Sequence, residues 1–455
     1  MMDVKIIKPI NGGAVRAVAS KSDAHRLLVC SAFADGKTFI GCPETSRDIE
    51  ATAGCLASLG AAVSRERGGF MVSPVKKNNA ERGGRAVLDC GESGSTLRFL
   101  LPVCGVLGTD TEFKMGGLLP TRPIAELRDE LVRHGYEISC TGTNPLVCRG
   151  QMTGGKFVLP GGVSSQYISG LLLALPLTKT GGSIFVEGKI ESRPYVDMTL
   201  GALKKFGVAV REEGQNFFVP GGGSYRSPKT AAAEGDWSNA AFWLCAGAIG
   251  KNPVTCTGLD TSSRQGDREI VEILKRFGAE VEIEKTPDIN AENYSESETC
   301  DNNFSRGCSV TVRPGTKRLR GIEIDAANIP DLVPVLAAVA AASEGTTLIR
   351  GAARLRAKES DRLKTVTASL TALGADIAET EDGLAVNGAG PYAGGRNLRG
   401  GCADSFGDHR IAMAAAVASL ICEGPVTIKN AEAVKKSYPD FFADFKKLGG
   451  EITIR

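Results

Sequence analysis

The residues best suited to bind an anion lie in the segments that lead into predicted helices. Six Ala/Leu-rich stretches each follow a short run of Ser, Asp, Gly or basic residues. A helix N-terminus carries unpaired N–H donors and about half a positive charge, so phosphate and carboxylate groups bind there readily. The pattern therefore predicts a small, multiply anionic ligand. The polar positions in these segments are Lys21, Ser22, Arg26, Gly94, Ser95, Arg98, Ser164, Ser165, Gln166, Asp331, Asp408, His409 and Arg410.

A second set of polar residues precedes the amphipathic helices of the same pattern. Taken one at a time, such residues have ordinary explanations: a Ser or Asp caps a helix, and an isolated Arg or Lys is solvated. Glu359 and Arg362 would form a surface pair at i, i+3. However, these residues occur at equivalent positions of one repeat, and this regularity favours a role in binding and catalysis. The set comprises Arg122, Ser192, Tyr195, Lys358, Glu359, Arg362 and Lys436.

The repeat is marked by a short phrase of the form apolar-x-x-apolar-Gly-x-x-Val/Ile. Such a phrase is typical of the last turn of an amphipathic helix, a glycine in the left-handed C-cap conformation and a following strand. The intervals between its glycines are 75, 72, 71, 96 and 75 residues. Six copies in 455 residues, of which only the second is a loose fit with His134 at the fourth position, predict two domains of three units each. The glycines are Gly60, Gly135, Gly207, Gly278, Gly374 and Gly449.

The predicted boundary between the two domains lies near residue 235. Residues 20–235 are expected to form the first domain, and residues 1–19 with 236–455 the second, because the N-terminal segment reads as strand and is expected to pair with the second half. The long fourth interval contains a polar segment at 285–308, which predicts a surface insertion.

The composition excludes several classes of function. Lys+Arg 54 against Asp+Glu 52 gives a formal net charge of +2, which argues against a nucleic-acid-binding protein. Thirteen Cys without a C-x-x-C pair argue against a zinc site and for a reducing compartment. No basic n-region precedes an apolar run at the start, and no apolar run reaches about 18 residues. We expect a cytoplasmic monomer without a membrane or nucleic-acid partner.

Nine stretches carry most of these polar residues: SKSDAHR at 20–26, GESGSTLR at 91–98, TRPI at 121–124, SSQYISGLL at 164–172, SRPYVDMT at 192–199, NIPDL at 328–332, RLRAKESDRL at 354–363, GDHRIAMA at 407–414 and KKSYPDFF at 435–442. Together they resemble the enolpyruvyl transferase family, and within it the members that act on shikimate 3-phosphate. The match runs from about residue 5 to residue 450. K-E-S-D-R and D-H-R-x-A-M are highly specific together, whereas S-S-Q alone is weak.

The resemblance implies a fold of class α/β (α+β), with two similar domains of three βαβαββ-like repeats each, inverse α/β barrel-like, and an active site in the interdomain cleft. It also implies binding roles, which are carried over position by position. Shikimate 3-phosphate would be held by Lys21, Ser22, Arg26, Ser164, Ser165, Gln166, Ser192, Asp331 and Lys358. Phosphoenolpyruvate would be held by Lys21, Gly94, Arg122, Gln166, Arg362, Arg410 and Lys436.

The implied reaction transfers the enolpyruvyl group of phosphoenolpyruvate to the 5-hydroxyl of shikimate 3-phosphate. Asp331 would accept the hydroxyl proton, Glu359 would donate a proton to C3, and Lys21 would contact both ligands. The scheme needs no metal or cofactor.

Three positions depart from the family pattern. Arg354 stands where some relatives carry Asn, and Glu92 and Phe99 flank the Gly94 loop where others carry Asn and Pro. The last two bear on sensitivity to the inhibitor glyphosate.

Two alternatives remain open on the sequence. A UDP-N-acetylglucosamine enolpyruvyl transferase uses a Cys in the loop before its R-P motif, and residues 115–121 contain none. A non-catalytic anion-binding homologue would have lost polar residues that this chain retains, among them Lys21, Asp331, Glu359 and Arg410.

Overall fold

The computed structural model describes residues 2–76, 85–223, 225–285, 307–316, 318–389 and 398–455. Within these residues the chain divides into two compact units. We call Ala19–Ala233 the inserted unit, and Met1–Val18 together with Glu234–Arg455 the terminal unit. The predicted insertion at 285–308 lies, apart from its ends, outside the described residues.

Twelve α-helices lie in the described residues: α1 Lys21–Ala32, α2 Arg47–Ser58, α3 Gly94–Leu107, α4 Ala125–Arg133, α5 Ser165–Ala174, α6 Arg193–Lys205, α7 Trp237–Ile249, α8 Ile270–Phe277, α9 Val333–Ala341, α10 Arg362–Ala372, α11 His409–Ala418 and α12 Phe441–Lys447. The odd-numbered helices are buried on nearly every side, and the even-numbered helices bury one face. This alternation confirms the two helix types that the sequence predicts, because small apolar residues allow close packing all round whereas a polar face must stay in water.

The strands of the described residues are β1 Val4–Lys8, β2 Gly13–Arg16, β3 Thr38–Gly41, β4 Ala62–Glu66, β5 Gly69–Ser73, β6 Ala86–Asp89, β7 Thr111–Lys114, β8 Glu137–Ile138, β9 Leu146–Arg149, β10 Gly155–Pro160, β11 Gly182–Glu187, β12 Arg211–Glu213, β13 Asn216–Val219, β14 Thr230–Ala232, β15 Val254–Leu259, β16 Glu280–Lys285, β17 Cys308–Arg313, β18 Glu323–Asp325, β19 Glu344–Arg350, β20 Asp376–Glu379, β21 Leu384–Ala389, β22 Gly401–Asp404, β23 Val426–Lys429 and β24 Glu451–Ile454.

These strands form six four-stranded sheets with the same arrangement of strands. The orders are β14-β3-β5-β4, β6-β7-β9-β8 and β10-β11-β13-β12 in the inserted unit, and β16-β17-β15-β2, β18-β19-β21-β20 and β22-β23-β1-β24 in the terminal unit. Each sheet of the inserted unit has one parallel pair at one edge and two antiparallel pairs. The same is true of each sheet of the terminal unit. The described strands make separate open sheets and no closed barrel.

Each sheet is the strand part of one βαβαββ repeat. In the second, third and fifth sheets the parallel pair is joined through a buried helix, and an amphipathic helix then leads to an antiparallel hairpin, as in β6-α3-β7-α4-β8-β9. A parallel connection needs such a helical crossover, whereas a hairpin needs only a turn. Three repeats borrow a strand from elsewhere in the chain: β14 for the first sheet, β2 for the fourth and β1 for the sixth. The N-terminal strands β1 and β2 thus pair within the terminal unit.

The six glycines of the repeat phrase all have positive φ. Their φ values run from 77° at Gly207 to 108° at Gly278. Gly278 is the C-cap of α8, and its N–H donates to the carbonyl groups of Leu274 and Lys275. Only glycine adopts this conformation without a steric penalty, which explains why the phrase keeps it in every copy.

An aromatic cluster in the terminal unit fixes the segment that follows Lys436. The ring of Phe441 stacks on that of Trp243 with centroids 4.6 Å apart. Trp243 Nε1 donates to the Tyr438 hydroxyl at 3.1 Å, and that hydroxyl donates to Asp444 at 2.7 Å. The aromatic half of the KKSYPDFF motif is therefore core packing, which anchors the backbone beside the lysine.

We predict that Gly278→Ala lowers the free energy of unfolding of the terminal unit by about 1 kcal/mol, because a Cβ at positive φ is strained. An added Cβ would lie 3.4 Å from its nearest neighbour, so crowding contributes little. Gly278→Asn is the matched control, since Asn also adds a Cβ but tolerates this φ. Both Trp residues, Trp237 and Trp243, lie in the terminal unit, so urea unfolding followed by Trp fluorescence measures it. Equal losses for the two variants would contradict the φ explanation.

Candidate active site

In the terminal unit, one buried arginine holds three carboxylates. Arg362 is the first residue of α10 and is 1% exposed. Its Nε donates to Asp408 Oδ2 at 2.7 Å, its Nη1 to Asp331 Oδ1 at 2.8 Å and its Nη2 to Glu359 Oε2 at 2.6 Å. We call Asp331, Glu359, Arg362, Asp408 and Arg410 the Arg362 cluster. The structure thus brings together the two carboxylates that the sequence singles out for proton transfer.

Arg410 completes this cluster from the N-terminus of α11. Its Nη2 donates to Asp331 Oδ2 at 2.9 Å, so each oxygen of the Asp331 carboxylate faces a guanidinium. Asp408 is the N-cap of α11 and accepts the backbone N–H of Arg410 at 2.9 Å. His409, next in the chain, is 1% exposed. The helix start therefore supplies a carboxylate for Arg362 and a guanidinium for Asp331.

The charges of the cluster set the protonation states. Burial by itself raises the pKa of Asp331, but Arg410, Lys358 and Arg362 outweigh it and hold that pKa well below its ordinary value. Burial by itself lowers the pKa of Arg362, but Asp408, Glu359 and Asp331 raise it above its ordinary value. Asp331 is consequently an ionised carboxylate across the physiological pH range.

In the inserted unit, a second cluster forms where α3 and α5 begin. Gln166 Nε2 donates to Ser95 Oγ at 2.9 Å, and Gln166 Oε1 accepts from Arg98 Nη1 at 3.1 Å. Arg98 Nη2 donates to the Pro123 carbonyl at 2.7 Å, which ties α3 to the backbone next to Arg122. We call Gly94, Ser95, Arg98, Arg122 and Gln166 the α3 cluster.

Gly94 allows the two guanidinium groups of the α3 cluster to approach the start of α3. A Cβ added at Gly94 would lie 2.5 Å from Arg98 Nη1 and 3.0 Å from Arg122 Nη1. Ser93 caps the helix by accepting the N–H of Thr96 at 3.2 Å. A helix N-terminus and two guanidinium groups are the elements of an anion site.

Lys21 and Ser22 open α1, and the side chain of Lys21 pairs with Asp48. Lys21 Nζ lies 2.8 Å from Asp48 Oδ2, and both side chains are largely buried. A buried chain of polar groups runs nearby. His25 Nδ1 lies 2.7 Å from Thr52 Oγ1, which lies 2.7 Å from Thr96 Oγ1. This chain joins the N-terminal turns of α1 and α3 to the middle of α2, so the three helices are fixed relative to each other.

Arg26 is directed into the protein. Its Nε donates to Thr199 Oγ1 and its Nη2 to the Tyr195 carbonyl, both at 2.8 Å, and its Nη1 donates to the Ser22 carbonyl. Burial lowers its pKa to about 10. Two of its five N–H groups therefore join α1 to α6 and a third bonds within α1. Its role as a ligand for shikimate 3-phosphate stays a prediction.

Ser164, Ser165 and Ser192 occupy helix starts as the sequence predicts. Ser164 is the N-cap of α5 and accepts the Gln166 N–H at 3.3 Å, with Ser165 as the first helical residue. Ser192 precedes α6 at φ 54° and does not use its hydroxyl as a cap. A non-glycine residue at this φ is strained, and such strain is concentrated at functional sites.

Arg122 and Lys436 lie slightly away from the helix starts. Arg122 follows the 3₁₀ turn Leu119–Thr121 and precedes α4 by three residues. Lys436 ends the 3₁₀ helix Ala431–Lys436, five residues before α12, and its Nζ donates to the Gly407 carbonyl at 2.8 Å. Pro123 and Pro439 intervene between these residues and the helices, and they delay helix formation because proline restricts the residue before it.

Each of the three residues that depart from the family pattern makes a defined contact in the structure. Phe99 is buried, and its ring centre lies 5.0 Å from Arg26 Cζ, a cation–π contact. Arg354 Nη2 donates to the Ala327 carbonyl at 2.8 Å, near the strand end that leads to Asp331. Glu92 approaches the Gly116–Gly117 turn that precedes Arg122.

Sequence reasoning missed Asp48 and Asp267. Both stand where amphipathic helices begin, Asp48 in the first turn of α2 and Asp267 in the 3₁₀ helix Gly266–Glu269 that leads into α8. These are the two repeats for which the sequence analysis named no polar residue at the amphipathic helix. Their position in the repeat could have identified them, because the start of the amphipathic helix is an equivalent position in all six repeats.

The sequence matches known proteins over nearly the whole chain. The family model described as EPSP synthase (3-phosphoshikimate 1-carboxyvinyltransferase) matches residues 4–445. A 3-phosphoshikimate 1-carboxyvinyltransferase of Clostridium kluyveri is 42% identical over 441 residues, which cover 97% of this chain and 96% of that one. The protein of the same name from Clostridioides difficile is 36% identical and covers 99% and 98% of the two chains.

Solved structures give the same result. EPSP synthase from Acinetobacter baumannii matches with a TM-score of 0.80 and 26% identity over 100% of both chains. The enolpyruvyl transferase NikO from Streptomyces tendae, at 21% identity and a TM-score of 0.73, shares the fold. In the part of the chain that the structure describes, no helix has the length and apolar character to cross a membrane. With its family model spanning nearly its full length, the chain belongs to the EPSP synthase (3-phosphoshikimate 1-carboxyvinyltransferase) family.

Proposed function

We propose that the protein transfers the enolpyruvyl group of phosphoenolpyruvate to the 5-hydroxyl of shikimate 3-phosphate and releases phosphate. The observation that carries this proposal is the Arg362 cluster. Asp331 and Glu359 both bind the guanidinium of Arg362, so the proposed proton acceptor and the proposed proton donor lie close together. A reaction that removes a proton from a hydroxyl and adds one to a neighbouring carbon needs this arrangement.

Groups from the two units act, in this proposal, on the same pair of substrates. The α3 cluster and the Arg362 cluster supply complementary functions: anion binding at a helix start in one, and proton transfer among fixed cations in the other. Shikimate 3-phosphate is bound by Lys21, Ser22, Arg26, Ser164, Ser165, Gln166, Ser192, Asp331 and Lys358. Phosphoenolpyruvate is bound by Lys21, Gly94, Arg122, Gln166, Arg362, Arg410 and Lys436.

Substrate binding activates the proposed base. In the unliganded protein three cations depress the pKa of Asp331, which makes it a weak proton acceptor. The carboxylate and phosphate of phosphoenolpyruvate bring negative charge to Arg362 and Arg410, and this charge raises the pKa of Asp331. The base therefore gains strength when both reactants are present, and the same cations stabilise the departing phosphate.

Glu359 is the proposed donor to C3 of phosphoenolpyruvate. Its Oε2 accepts from Arg362 Nη2, which fixes the position of the carboxyl group. When phosphate leaves the tetrahedral intermediate, the methyl group returns the donated proton to Glu359, and the departing phosphate takes the hydroxyl proton from Asp331. Lys21, paired with Asp48, is the proposed contact to both substrates.

The proposed setting is the cytoplasm, and the proposed state is a monomer. The first rests on the family and on the cysteine usage that the sequence shows. Sedimentation equilibrium measures the second, and a mass of 47.7 kDa is the expected value.

The decisive assay for the proposed reaction is phosphate release from phosphoenolpyruvate with different acceptors. We expect release with shikimate 3-phosphate and none with UDP-N-acetylglucosamine or without an acceptor. Release with the nucleotide sugar alone would overturn the choice of acceptor. Absence of release with either would favour a non-catalytic anion-binding protein.

Asp331→Asn is expected to lower turnover by at least about a hundredfold, the scale for a lost general base. Binding of shikimate 3-phosphate should stay within a few-fold, because the amide keeps the shape of the carboxylate. Stopped-flow phosphate release and calorimetric titration measure the two quantities. The matched control is Asp376→Asn, the same change at an exposed position on β20. Turnover near the wild-type value would remove Asp331 from the role of base.

Gly94→Ala is expected to raise KM for phosphoenolpyruvate at least about tenfold while kcat changes less. Its Cβ would displace the guanidinium groups of Arg98 and Arg122, and Arg122 is proposed to bind the anion and not to transfer protons. Gly162→Ala, before α5 in open space, serves as the control. Equal KM values for the two variants would show that the approach of Arg122 to α3 has no part in binding.

A further inference from the structure

A buried carboxyl group with no place in the proposed reaction lies at the start of α7 and α8. Asp267 is 2% exposed and belongs to the 3₁₀ helix Gly266–Glu269. The Ser238 hydroxyl, in the first turn of α7, donates to Asp267 Oδ2. Asp267 Oδ1 is buried and finds no hydrogen-bond partner among the described residues. A carboxylate in this situation is unstable unless other charges determine its state.

The segment around Asp267 is held firmly against α7. Gln265 Oε1 accepts the Trp237 N–H at 3.0 Å, and Gln265 Nε2 donates to the Gly235 carbonyl at 2.8 Å. Trp237 Nε1 donates to the Asp260 carbonyl at 3.0 Å. Asp260 and Gln265 are thus both bound to Trp237 in the first turn of α7, and these bonds fix the position of Asp267.

The charges that face Asp267 belong to the Arg362 cluster and to the cap of α7. Burial, Asp331 and the N-cap Asp236 raise the pKa of Asp267, whereas Arg410 and the Ser238 hydroxyl lower it, and the resulting pKa is about 7. Asp267 therefore shares its electrostatic environment with the proposed base Asp331 and with Arg410, which binds that base at 2.9 Å.

We propose that Asp267 is a positioning residue, whose buried carboxyl, oriented by Ser238, sets the charge that Asp331 and Arg410 experience. The proposal rests on the proposed role of Asp331 as the base. When Asp267 is ionised, its charge repels that of Asp331 and attracts Arg410, and both effects increase the proton affinity of Asp331. When Asp267 is neutral, Asp331 stays a weaker base.

The sign of the pH dependence follows from this coupling. Asp267 loses its proton as pH rises through about 7, so the chemical step should accelerate between pH 6 and pH 8.5. Asn at position 267 is neutral throughout and retains an acceptor for Ser238. In Asp267→Asn the ratio of single-turnover rates at pH 8.5 and pH 6.0 should fall at least about threefold below the wild-type ratio.

Two further variants separate this coupling from a structural role. Ser238→Ala removes a donor that favours the ionised form, so the midpoint of the rising limb should move to higher pH. Glu269→Gln makes the same change from carboxylate to amide in the exposed part of the same 3₁₀ helix, and its pH profile should equal that of the wild type. Titration of the substrate phosphates is common to all variants and cancels in the comparison.

Phosphate release in a single turnover, measured with saturating substrates from pH 5.5 to 9, decides the question. Asp267→Asn with the wild-type ratio, or a Ser238→Ala midpoint that does not move, would overturn the proposal. A uniform loss of rate at every pH would also overturn it, because that is the signature of misfolding. If Asp331→Asn keeps its turnover, the assignment of the base fails. If Asp331→Asn is inactive while Asp267→Asn keeps the wild-type ratio, only the role of Asp267 fails.

Discussion

A guanidinium buried as deeply as that of Arg362 is stable only while carboxylates surround it. Breaking a buried ion pair by removal of one partner typically destabilises a protein by about 3–5 kcal/mol. Arg362 therefore determines where Asp331, Glu359 and Asp408 lie, and these residues come from a 3₁₀ turn, a loop and the cap of α11. Two repeats of the terminal unit are joined at this one side chain. The charge balance that stabilises the fold also prepares the proposed base and acid for reaction.

The repeat architecture explains how so many polar groups reach a few places. Each βαβαββ repeat has a buried helix and an amphipathic helix, and within each unit the starts of helices from neighbouring repeats come together. The α3 cluster arises in this way from α3 and α5, through the contacts of Gln166 with Ser95 and Arg98. The Arg362 cluster arises from α10 and α11. A near-neutral chain can thus concentrate cations locally without a basic surface.

Much of the fold could be predicted from the sequence, because periodic patterns reflect local physics. The six glycines required a left-handed conformation, and the apolar helices required burial; both expectations are confirmed. The pairing of side chains could not be predicted in the same way. That Arg26 points inward to Thr199 and that Arg362 binds three carboxylates are results of tertiary packing. Asp48 and Asp267 were missed because neither stands in a run of basic residues, although the repeat phase marks both positions.

The central claim is that Asp331 removes the proton from the acceptor hydroxyl while Arg362 and Arg410 hold the anions. A crystal structure with shikimate 3-phosphate and an unreactive phosphoenolpyruvate analogue tests it most directly. We expect the 5-hydroxyl oxygen at roughly 2.6–3.2 Å from an Asp331 carboxylate oxygen, the reach of a general base. Both substrates bound with Asp331 beyond hydrogen-bonding distance of that oxygen would contradict the account.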